Sequence, residues 1–347
     1  MRTENAYKEQ WKLLSQFSYP ANIKRHFVES GFAPPSDRLV NFVSAAVSQG
    51  REYFFAAANS ELTISPLLYY YGTSNLLNGL SVLVTGAKLP VEHHGMVPEI
   101  PQREDYRIAE LKILPVQLNR GSLQLFANVF SPGVELVNSD SWSIGEILGS
   151  IPDLKLDFEQ MYQDSSPYTL PVEIVNTRRG VVERIARKDM SRFKDPKNVV
   201  DNIIDLNKAY LEPQLNSEFL ILHPRLNGVE IGEKSIFGQK HIQLAHLKNG
   251  RKLLPNQLIL MYMGLFGLGH ISRYQPEIWN RFVERDETGE RLLIEKFLDV
   301  CYRYVPNLAL NKIRSSSIQF VNTIVEPVDR RTSLSDDDIQ KLDRLGR

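Results

Sequence analysis

Two long runs without a charged residue, Leu62 to Ala87 and Leu253 to Ser272, constrain the fold more than any other feature of this chain. Both are too apolar to lie at the surface, so they belong at the centre of the fold. Each run contains glycines that allow neighbouring helices to approach closely: Gly72, Gly79, Gly264 and Gly267. We therefore predict two buried central helices that come from distant parts of the sequence.

Both runs are also long enough to cross a membrane, which takes about 20 apolar residues. However, the first run is rich in serine, threonine and asparagine, and the second begins with Pro255, Asn256 and Gln257. Lipid would penalise these polar groups, so helices of a soluble core are the preferred interpretation. We predict that the protein has no membrane partner.

The composition is that of an ordinary globular protein. Of the 347 residues 42% are hydrophobic, and 41 basic residues balance 41 acidic ones. Because the net charge is zero, no overall field attracts nucleic acid or an anionic membrane. The single cysteine, Cys301, excludes an intramolecular disulfide, and the N-terminus has no apolar stretch typical of a secretory signal. These features predict a cytoplasmic protein.

Helical periodicity at both ends of the chain and shorter strand-like runs in its middle predict an α+β fold that is predominantly α-helical. We predict a helical core formed by residues 1–97 and 251–328, a mixed strand and helix insertion at 98–250, and a mobile tail at 329–347. Within the insertion, residues 170–176 and 181–186 flank Thr177-Arg178-Arg179-Gly180 and predict a hairpin. After the second run, helices are predicted at 256–272, 275–284, 290–304 and 308–323.

The sequence lacks the common glycine-rich phosphate loop, the zinc-binding motifs and the serine-hydrolase motif. We therefore predict no cofactor and no metal. The Glu92-His93-His94 segment does not change this prediction, because no third metal ligand lies at a diagnostic spacing.

The polar end of the second run is the first candidate site. His270 and Arg273 share one face of the helix, and Pro276 forces a kink or restart just beyond them. A neutral imidazole beside a permanent cation is suited to an anion, a phosphodiester or a partner carboxylate. In the alternative interpretation Arg273 pairs with a buried carboxylate or caps helix-terminal carbonyls, while Tyr274 and Trp279 fill the core.

Two other groups of residues are candidate binding sites. Tyr70, Tyr71 and His94, together with Tyr274, are candidates for lining a small-ligand site between the two core helices. The strongest local excess of positive charge lies between Arg178 and Lys197 and suggests a nucleic-acid interface. Its candidate contact residues are Arg178, Arg179, Arg184, Arg187, Lys188 and Arg192. The alternative for this basic stretch is a solvated face or a surface for a partner protein.

Several short motifs occur in a characteristic order along most of the chain. They are Ser65-Pro66-Leu67-Leu68, Tyr70-Tyr71-Gly72, Leu76-Leu77, His94-Gly95, Gly121 with Phe126, and Ser272-Arg273-Tyr274-x-Pro276-x-x-Trp279. In this order the motifs resemble those of the YaaC-like proteins of bacteria. The resemblance implies a bacterial cytoplasmic protein, and it implies no particular activity.

The helical ends of the chain also resemble HEPN-type domains, which are compact helical bundles common in RNA-cleaving toxins and antiviral systems. This resemblance implies a ribonuclease motif in which an arginine precedes a histidine by a short fixed spacing. None of the seven histidines of the chain has an arginine at that spacing. His270 and Arg273, in reversed order, are the remaining candidates for a catalytic pair of this kind.

The leading hypothesis is a YaaC-like binding or interaction module for a partner protein, a second copy of itself or a nucleic acid. The HEPN resemblance adds a place in a stress or antiviral defence system. One alternative is a metal-independent ribonuclease that uses His270 as acid or base and Arg273 to hold phosphate. A second alternative is a small-ligand-binding protein, so the sequence leaves open whether the chain is an enzyme.

Overall fold

The computed structural model places both uncharged runs in central helices, as predicted. It describes residues 2–3, 5–103, 106–116, 120–138, 140–177, 180–193, 196–314 and 321–322. The described helices are α1 (Ala6–Leu14), α2 (Pro20–Glu29), α3 (Asp37–Ala58), α4 (Ser65–Thr85), α5 (Ser122–Phe130), α6 (Ile144–Gly149), α7 (Lys155–Met161), α8 (Pro196–Asp201), α9 (Leu206–Ala209), α10 (Gln257–Tyr274), α11 (Pro276–Arg285) and α12 (Glu290–Arg314). The predicted tail, 329–347, lies outside the described residues.

The strands are short and are concentrated in the middle of the chain. They are β1 (Arg2–Thr3), β2 (Met96–Glu99), β3 (Lys112–Pro115), β4 (Trp142–Ser143), β5 (Thr169–Pro171), β6 (Glu173–Thr177), β7 (Gly180–Ala186), β8 (Gln214–Leu215), β9 (Phe219–Leu222), β10 (Glu233–Lys234), β11 (Lys240–Gln243), β12 (His246–Lys248), β13 (Arg251–Leu253) and β14 (Val321–Asn322). The fold is therefore α+β and predominantly helical, which confirms the predicted fold class.

The first uncharged run forms α4, which pairs with α3 as a helical hairpin. A Cβ atom on Gly72 would lie 2.7 Å from Cδ2 of Phe54, so glycine is needed for the two helices to pack this closely. Gly86 ends α4 with a φ of 74°, a left-handed conformation that suits glycine. The hairpin brings the apolar faces of α3 and α4 together in the main core.

The second uncharged run forms α10, in which nearly every residue from Gln257 to Ile271 is buried. The side chain of Asn256 caps the helix by accepting a hydrogen bond from the backbone N–H of Ile259. α10 contacts α4, α5, α6 and α12, so it is the centre of the main core. In the described part of the chain, no helix is both long enough and apolar enough to span a membrane.

Residues of the middle region contribute to two separate apolar cores. Buried apolar side chains between Met96 and Phe158 belong to the main core, whereas the buried ones between Leu170 and Leu244 form a second core. The second core is covered by an antiparallel sheet with the strand order β6-β7-β9-β8. The predicted hairpin is confirmed, because β6 and β7 pair with Thr177 opposite Gly180. The domain boundaries at 97 and 250 stay a prediction.

The C-terminal region differs from its prediction at Pro306 and beyond Arg314. Separate helices were predicted at 290–304 and 308–323, but α12 runs unbroken from Glu290 to Arg314 and contains Pro306. Residues 315–320 lie outside the described residues, and Val321–Asn322 form strand β14 instead of helix. Proline removes one backbone hydrogen bond, yet Val305, Ala309 and Leu310 on either side of it are buried in the main core. Burial of this apolar face compensates for the missing hydrogen bond and keeps the helix continuous.

Asp153 lies where the middle region meets α12, and it is the subject of our first prediction. Its carboxylate accepts a hydrogen bond from the backbone N–H of Ile236, with oxygen to nitrogen distances of 3.0 and 3.1 Å. Burial of the carboxylate raises its pKa to about 6, although the Ile236 N–H and the charge of Lys296 oppose this shift. The folded state therefore holds this proton more tightly than the unfolded state does.

We expect Asp153→Asn to raise the free energy of unfolding by about 1 to 3 kcal/mol near pH 8. The raised pKa means that the wild-type protein loses stability as the pH rises from about 4 to about 6, and the amide avoids this loss. Urea unfolding at several pH values measures the effect. Asp157→Asn is the control, because Asp157 pairs with Lys296 and should not gain stability. If Asp153→Asn raised the free energy of unfolding as much near pH 4 as near pH 8, the prediction would be contradicted.

Candidate functional site

The structure brings together six residues that the sequence analysis assigned to two different candidate sites. They are Tyr70, Tyr71, His94, His270, Arg273 and Tyr274, and all six line one cavity of about 220 Å³. The remaining lining residues are Leu67, Met96, Val97, Pro98, Phe266 and Gly269. We call this cavity the aromatic pocket. It lies between the first turns of α4 and the last turns of α10, beside the loop that leads into β2.

Helical spacing and one close helix contact build the pocket. Phe266, His270 and Arg273 follow one another at intervals of four and three residues, which places them on one face of α10. A Cβ atom on Gly269 would lie 3.2 Å from the Cα of Leu67, so α4 and α10 nearly touch at this level. This close contact brings the tyrosines of α4 next to the polar end of α10.

Arg273 lies at the mouth of the pocket. Its Nη1 donates a hydrogen bond to the hydroxyl of Tyr71 at 2.6 Å, and its guanidinium lies 4.9 Å from the ring centre of Tyr274. Both Arg273 and Tyr274 are exposed to solvent, so the alternative in which Arg273 pairs with a buried carboxylate is wrong. Among the described residues that line the pocket there is no aspartate or glutamate. The guanidinium is thus held in place by neutral groups and keeps its charge available.

His94 is placed by a buried tyrosine. Its Nδ1 lies 2.5 Å from the hydroxyl of Tyr70, and its ring packs against Phe266 with a centroid distance of 5.6 Å. The residue as a whole is exposed, but its ring is partly enclosed by these neighbours. Partial burial lowers the pKa of His94, and the nearby His93 and Arg273 lower it further.

His270 lies on the other side of Phe266 and contacts Tyr274, with a ring centroid distance of 4.6 Å. Partial burial lowers the pKa of His270 as well, and the charges of His94 and Arg273 act in the same direction. Both shifts favour the neutral form of the imidazoles. The pocket combines one permanent cation, two neutral imidazoles and several aromatic faces.

The loop that carries His94 docks on the start of α5 through two glycines. A Cβ atom on Gly95 would lie 2.9 Å from the Cα of Gly121, and one on Gly121 would lie 2.7 Å from the Cα of Gly95. The backbone N–H of Ser122 donates to the carbonyl of His93 at 2.9 Å, and the N–H of Leu123 donates to that of His94 at 3.2 Å. The backbone around His94 is fixed by these contacts.

Comparison with known proteins agrees with the motifs that surround this pocket. A protein-family model described as YaaC-like Protein matches residues 23–313, which is most of the chain. This chain belongs to the YaaC-like protein family. No curated protein and no solved structure matches this YaaC-like chain, so the HEPN resemblance stays a prediction.

The described residues of the basic stretch of this YaaC-like protein do not line the pocket, and two of them have structural contacts. Arg184 pairs with Glu173 at 2.8 Å and packs on the ring of Phe219. Arg192 donates to the carbonyls of four residues around the end of α7: Glu159, Tyr162, Gln163 and Ser165. Arg187 and Lys188 are exposed. The other two candidates, Arg178 and Arg179, lie outside the described residues.

Sequence reasoning missed several residues of the aromatic pocket. Phe266 carries a usable signal, because it lies one helical turn before His270 in α10. Met96, Val97 and Pro98 follow directly after His94 and Gly95, so they too could have been included. Within the described ranges, no three histidine, cysteine, aspartate or glutamate side chains lie close enough together to hold a metal ion.

Proposed function

We propose that this YaaC-like protein binds a nucleotide in the aromatic pocket, with the base inside the cavity and the phosphate at its mouth. The observation that supports this most is the position of Arg273. Its guanidinium is exposed, is oriented by Tyr71 and Tyr274, and has no carboxylate beside it in the pocket lining. Such an arginine is suited to a phosphate, because its N–H groups match the spacing of phosphate oxygens.

The size and lining of the cavity support a planar group inside it. Its volume of about 220 Å³ is below the roughly 300 to 1,000 Å³ that is typical of sites for drug-sized ligands. It suits one ring system, with the rest of the ligand extending into solvent. Tyr70, Phe266, His270 and Tyr274 offer aromatic faces or edges to such a ring.

The leading hypothesis from the sequence, a module that binds a partner protein or a nucleic acid, is retained only in part by this proposal. A nucleotide at the end of an RNA strand has the same chemistry as a free nucleotide and would enter the same pocket. The basic stretch gives less support to a separate nucleic-acid interface, because Arg184 and Arg192 have structural contacts. A place in stress or antiviral defence stays a prediction.

A metal-independent ribonuclease is the second candidate, because His94, His270 and Arg273 line one cavity. Acid and base catalysis at this site would need one protonated and one neutral imidazole. Partial burial lowers the pKa of both histidines, which suits a general base but not the protonated general acid that the ribonuclease would also need. RNA cleavage that is lost in both His270→Ala and Arg273→Ala would instead favour the ribonuclease.

Calorimetric titration with the four ribonucleoside monophosphates and their nucleosides tests the proposal. We expect at least one monophosphate to bind in the micromolar to millimolar range and its nucleoside to bind more weakly, because the nucleoside lacks the group that Arg273 would hold. A short RNA with a phosphate at one end distinguishes a strand end from a free nucleotide. The proposal fails if no monophosphate binds at millimolar concentration, or if nucleosides bind equally well.

The two histidines predict that binding of a phosphate group depends on pH. A bound anion favours the charged form of His94 and His270, so binding takes up protons and becomes tighter as the pH falls. A cyclic nucleotide is the suitable probe, because its single phosphodiester charge stays constant near neutral pH. We expect its affinity to rise about 3- to 10-fold between about pH 8 and pH 6. His94→Gln with His270→Gln should remove this dependence, and its persistence in that variant would contradict the prediction.

A further inference from the structure

A chain of buried hydroxyl groups connects α5 to the aromatic pocket. It runs from Ser122 through Tyr262 and Tyr70 to Nδ1 of His94. Ser122, Tyr262 and Tyr70 are all buried, and Tyr262 is fully enclosed within α10 and its neighbours. Each hydroxyl has one hydrogen to donate, so the donors at the Ser122 end of the chain can be worked out from that fixed end.

The fixed end is Ser122. Its hydroxyl lies 2.7 Å from the carbonyl oxygen of His94, and since a carbonyl can only accept, Ser122 is the donor. The contact of 2.7 Å between Ser122 and Tyr262 then needs its hydrogen from Tyr262. Tyr262 therefore has no hydrogen left for Tyr70.

The hydrogen of Tyr70 has two acceptors within reach. The oxygen of Tyr262 is 3.4 Å away, beyond the roughly 2.5 to 3.0 Å that is usual for an O–H···O bond, whereas Nδ1 of His94 is 2.5 Å away. A protonated Nδ1 would leave the buried hydroxyl hydrogen of Tyr70 with only the long contact, so the geometry favours Tyr70 as the donor to His94. Nδ1 accepts this bond and is not protonated. The proton of the neutral imidazole is then on Nε2.

We infer that Ser122, Tyr262 and Tyr70 hold His94 as the tautomer with its proton on Nε2, so that the aromatic pocket presents an N–H donor beside Arg273. The assignment of the tautomer does not depend on the proposed function. Only its consequence for the ligand rests on that proposed function. A donor next to a guanidinium selects a group with several acceptor oxygens, such as a phosphate, and disfavours a group that itself donates. Tyr70 is a positioning residue in this scheme.

The same arrangement opposes a second proton on His94. If Nδ1 were protonated, two hydrogens would point into the 2.5 Å contact with Tyr70. Tyr70 would then have to turn its hydrogen toward Tyr262, where the oxygen atoms are 3.4 Å apart.

Nitrogen NMR of the ligand-free protein tests the tautomer directly. We expect Nδ1 of His94 to show the signal of an unprotonated nitrogen and Nε2 that of a protonated one. In Tyr70→Phe both signals should move toward an average of the two tautomers, and the midpoint of the His94 titration should move to higher pH. Tyr304→Phe is the matched control, because it removes the hydroxyl of a buried tyrosine that bonds to Lys234 outside the pocket.

Protonated Nδ1 in the wild-type protein would overturn the inference, and so would signals in Tyr70→Phe identical to those of the wild type. The wild-type spectrum alone decides the tautomer if Tyr70→Phe does not fold. With AMP as the probe, Tyr70→Phe should bind about 3- to 10-fold more weakly than Tyr304→Phe does, and equal affinities would overturn the proposed donor role. A failure of all nucleotides to bind would refute the proposed function and leave the NMR result on the tautomer valid.

Discussion

Replacing Arg273 with glutamine is expected to weaken the binding of AMP by about 10- to 100-fold, because charged hydrogen bonds contribute roughly 1.5 to 3 kcal/mol. Arg273 is exposed and is held by neutral groups, so its removal leaves no buried charge without a partner. Glutamine keeps much of the side-chain stem and can still bond to Tyr71. Calorimetric titration near neutral pH measures the loss, and thermal unfolding checks that the variant remains folded.

Two variants separate this role from a general effect of charge. Arg187→Gln removes an equal charge from the exposed basic stretch, so it should change AMP affinity by less than about 2-fold. Arg273→Lys keeps the charge but loses the planar fork and its contact with Tyr274, and it should lie between the wild type and Arg273→Gln. Equal losses in Arg273→Gln and Arg187→Gln would show that the pocket is not the phosphate site.

The parts of the fold that were predicted correctly are those in which a local pattern and its packing agree. The uncharged runs predicted α4 and α10 because each contains enough apolar residues to be buried on most sides. Two N-terminal helices, α1 and α2, were not predicted. Each is short and marginal alone, and it depends on burying Trp11, Leu14, Ile23 and Phe27 against the main core. Such packing is tertiary information that a local window does not contain.

Part of the candidate site could be predicted because some of its residues lie within one turn of each other on the same helix. His270, Arg273 and Tyr274 are neighbours on α10, and Tyr70 and Tyr71 are neighbours on α4. That both groups line one cavity follows from the crossing of the two helices at Gly269, which the sequence does not show. The hydroxyl chain could not be predicted, since it joins Tyr70, Ser122 and Tyr262 from three separate helices.

Counts of charged residues were the least informative part of the sequence. The basic stretch suggested a nucleic-acid interface, but a count does not show which cations already have partners. Arg192 donates to four backbone carbonyls, so in this position it stabilises the end of a helix. Arg273 was weighed as a partner of a buried carboxylate, yet it is the exposed cation of the pocket. Only the packing around each arginine distinguishes these roles.

The contact between Gly95 and Gly121 supports the second large prediction. Gly95 has a φ of 69°, and a Cβ atom there would lie 2.9 Å from the Cα of Gly121. Gly95→Ala should therefore lower the free energy of unfolding by about 2 to 5 kcal/mol, as the sum of left-handed strain and overpacking against a rigid backbone. Gly121→Ala should be similarly destabilising through overpacking, because its Cβ would lie 2.7 Å from the Cα of Gly95. Urea unfolding followed by circular dichroism measures both losses.

Gly31→Ala separates the two causes of the loss in Gly95→Ala. Gly31 has nearly the same conformation, with a φ of 71°, but a Cβ atom there would meet nothing within 4 Å. Gly31→Ala should lower the free energy of unfolding only by the left-handed strain, about 1 to 2 kcal/mol. The difference between the two variants measures the contact that fixes the loop of His94, and His94 lines the aromatic pocket. Equal losses in Gly95→Ala and Gly31→Ala would mean that this contact does not hold the loop in place.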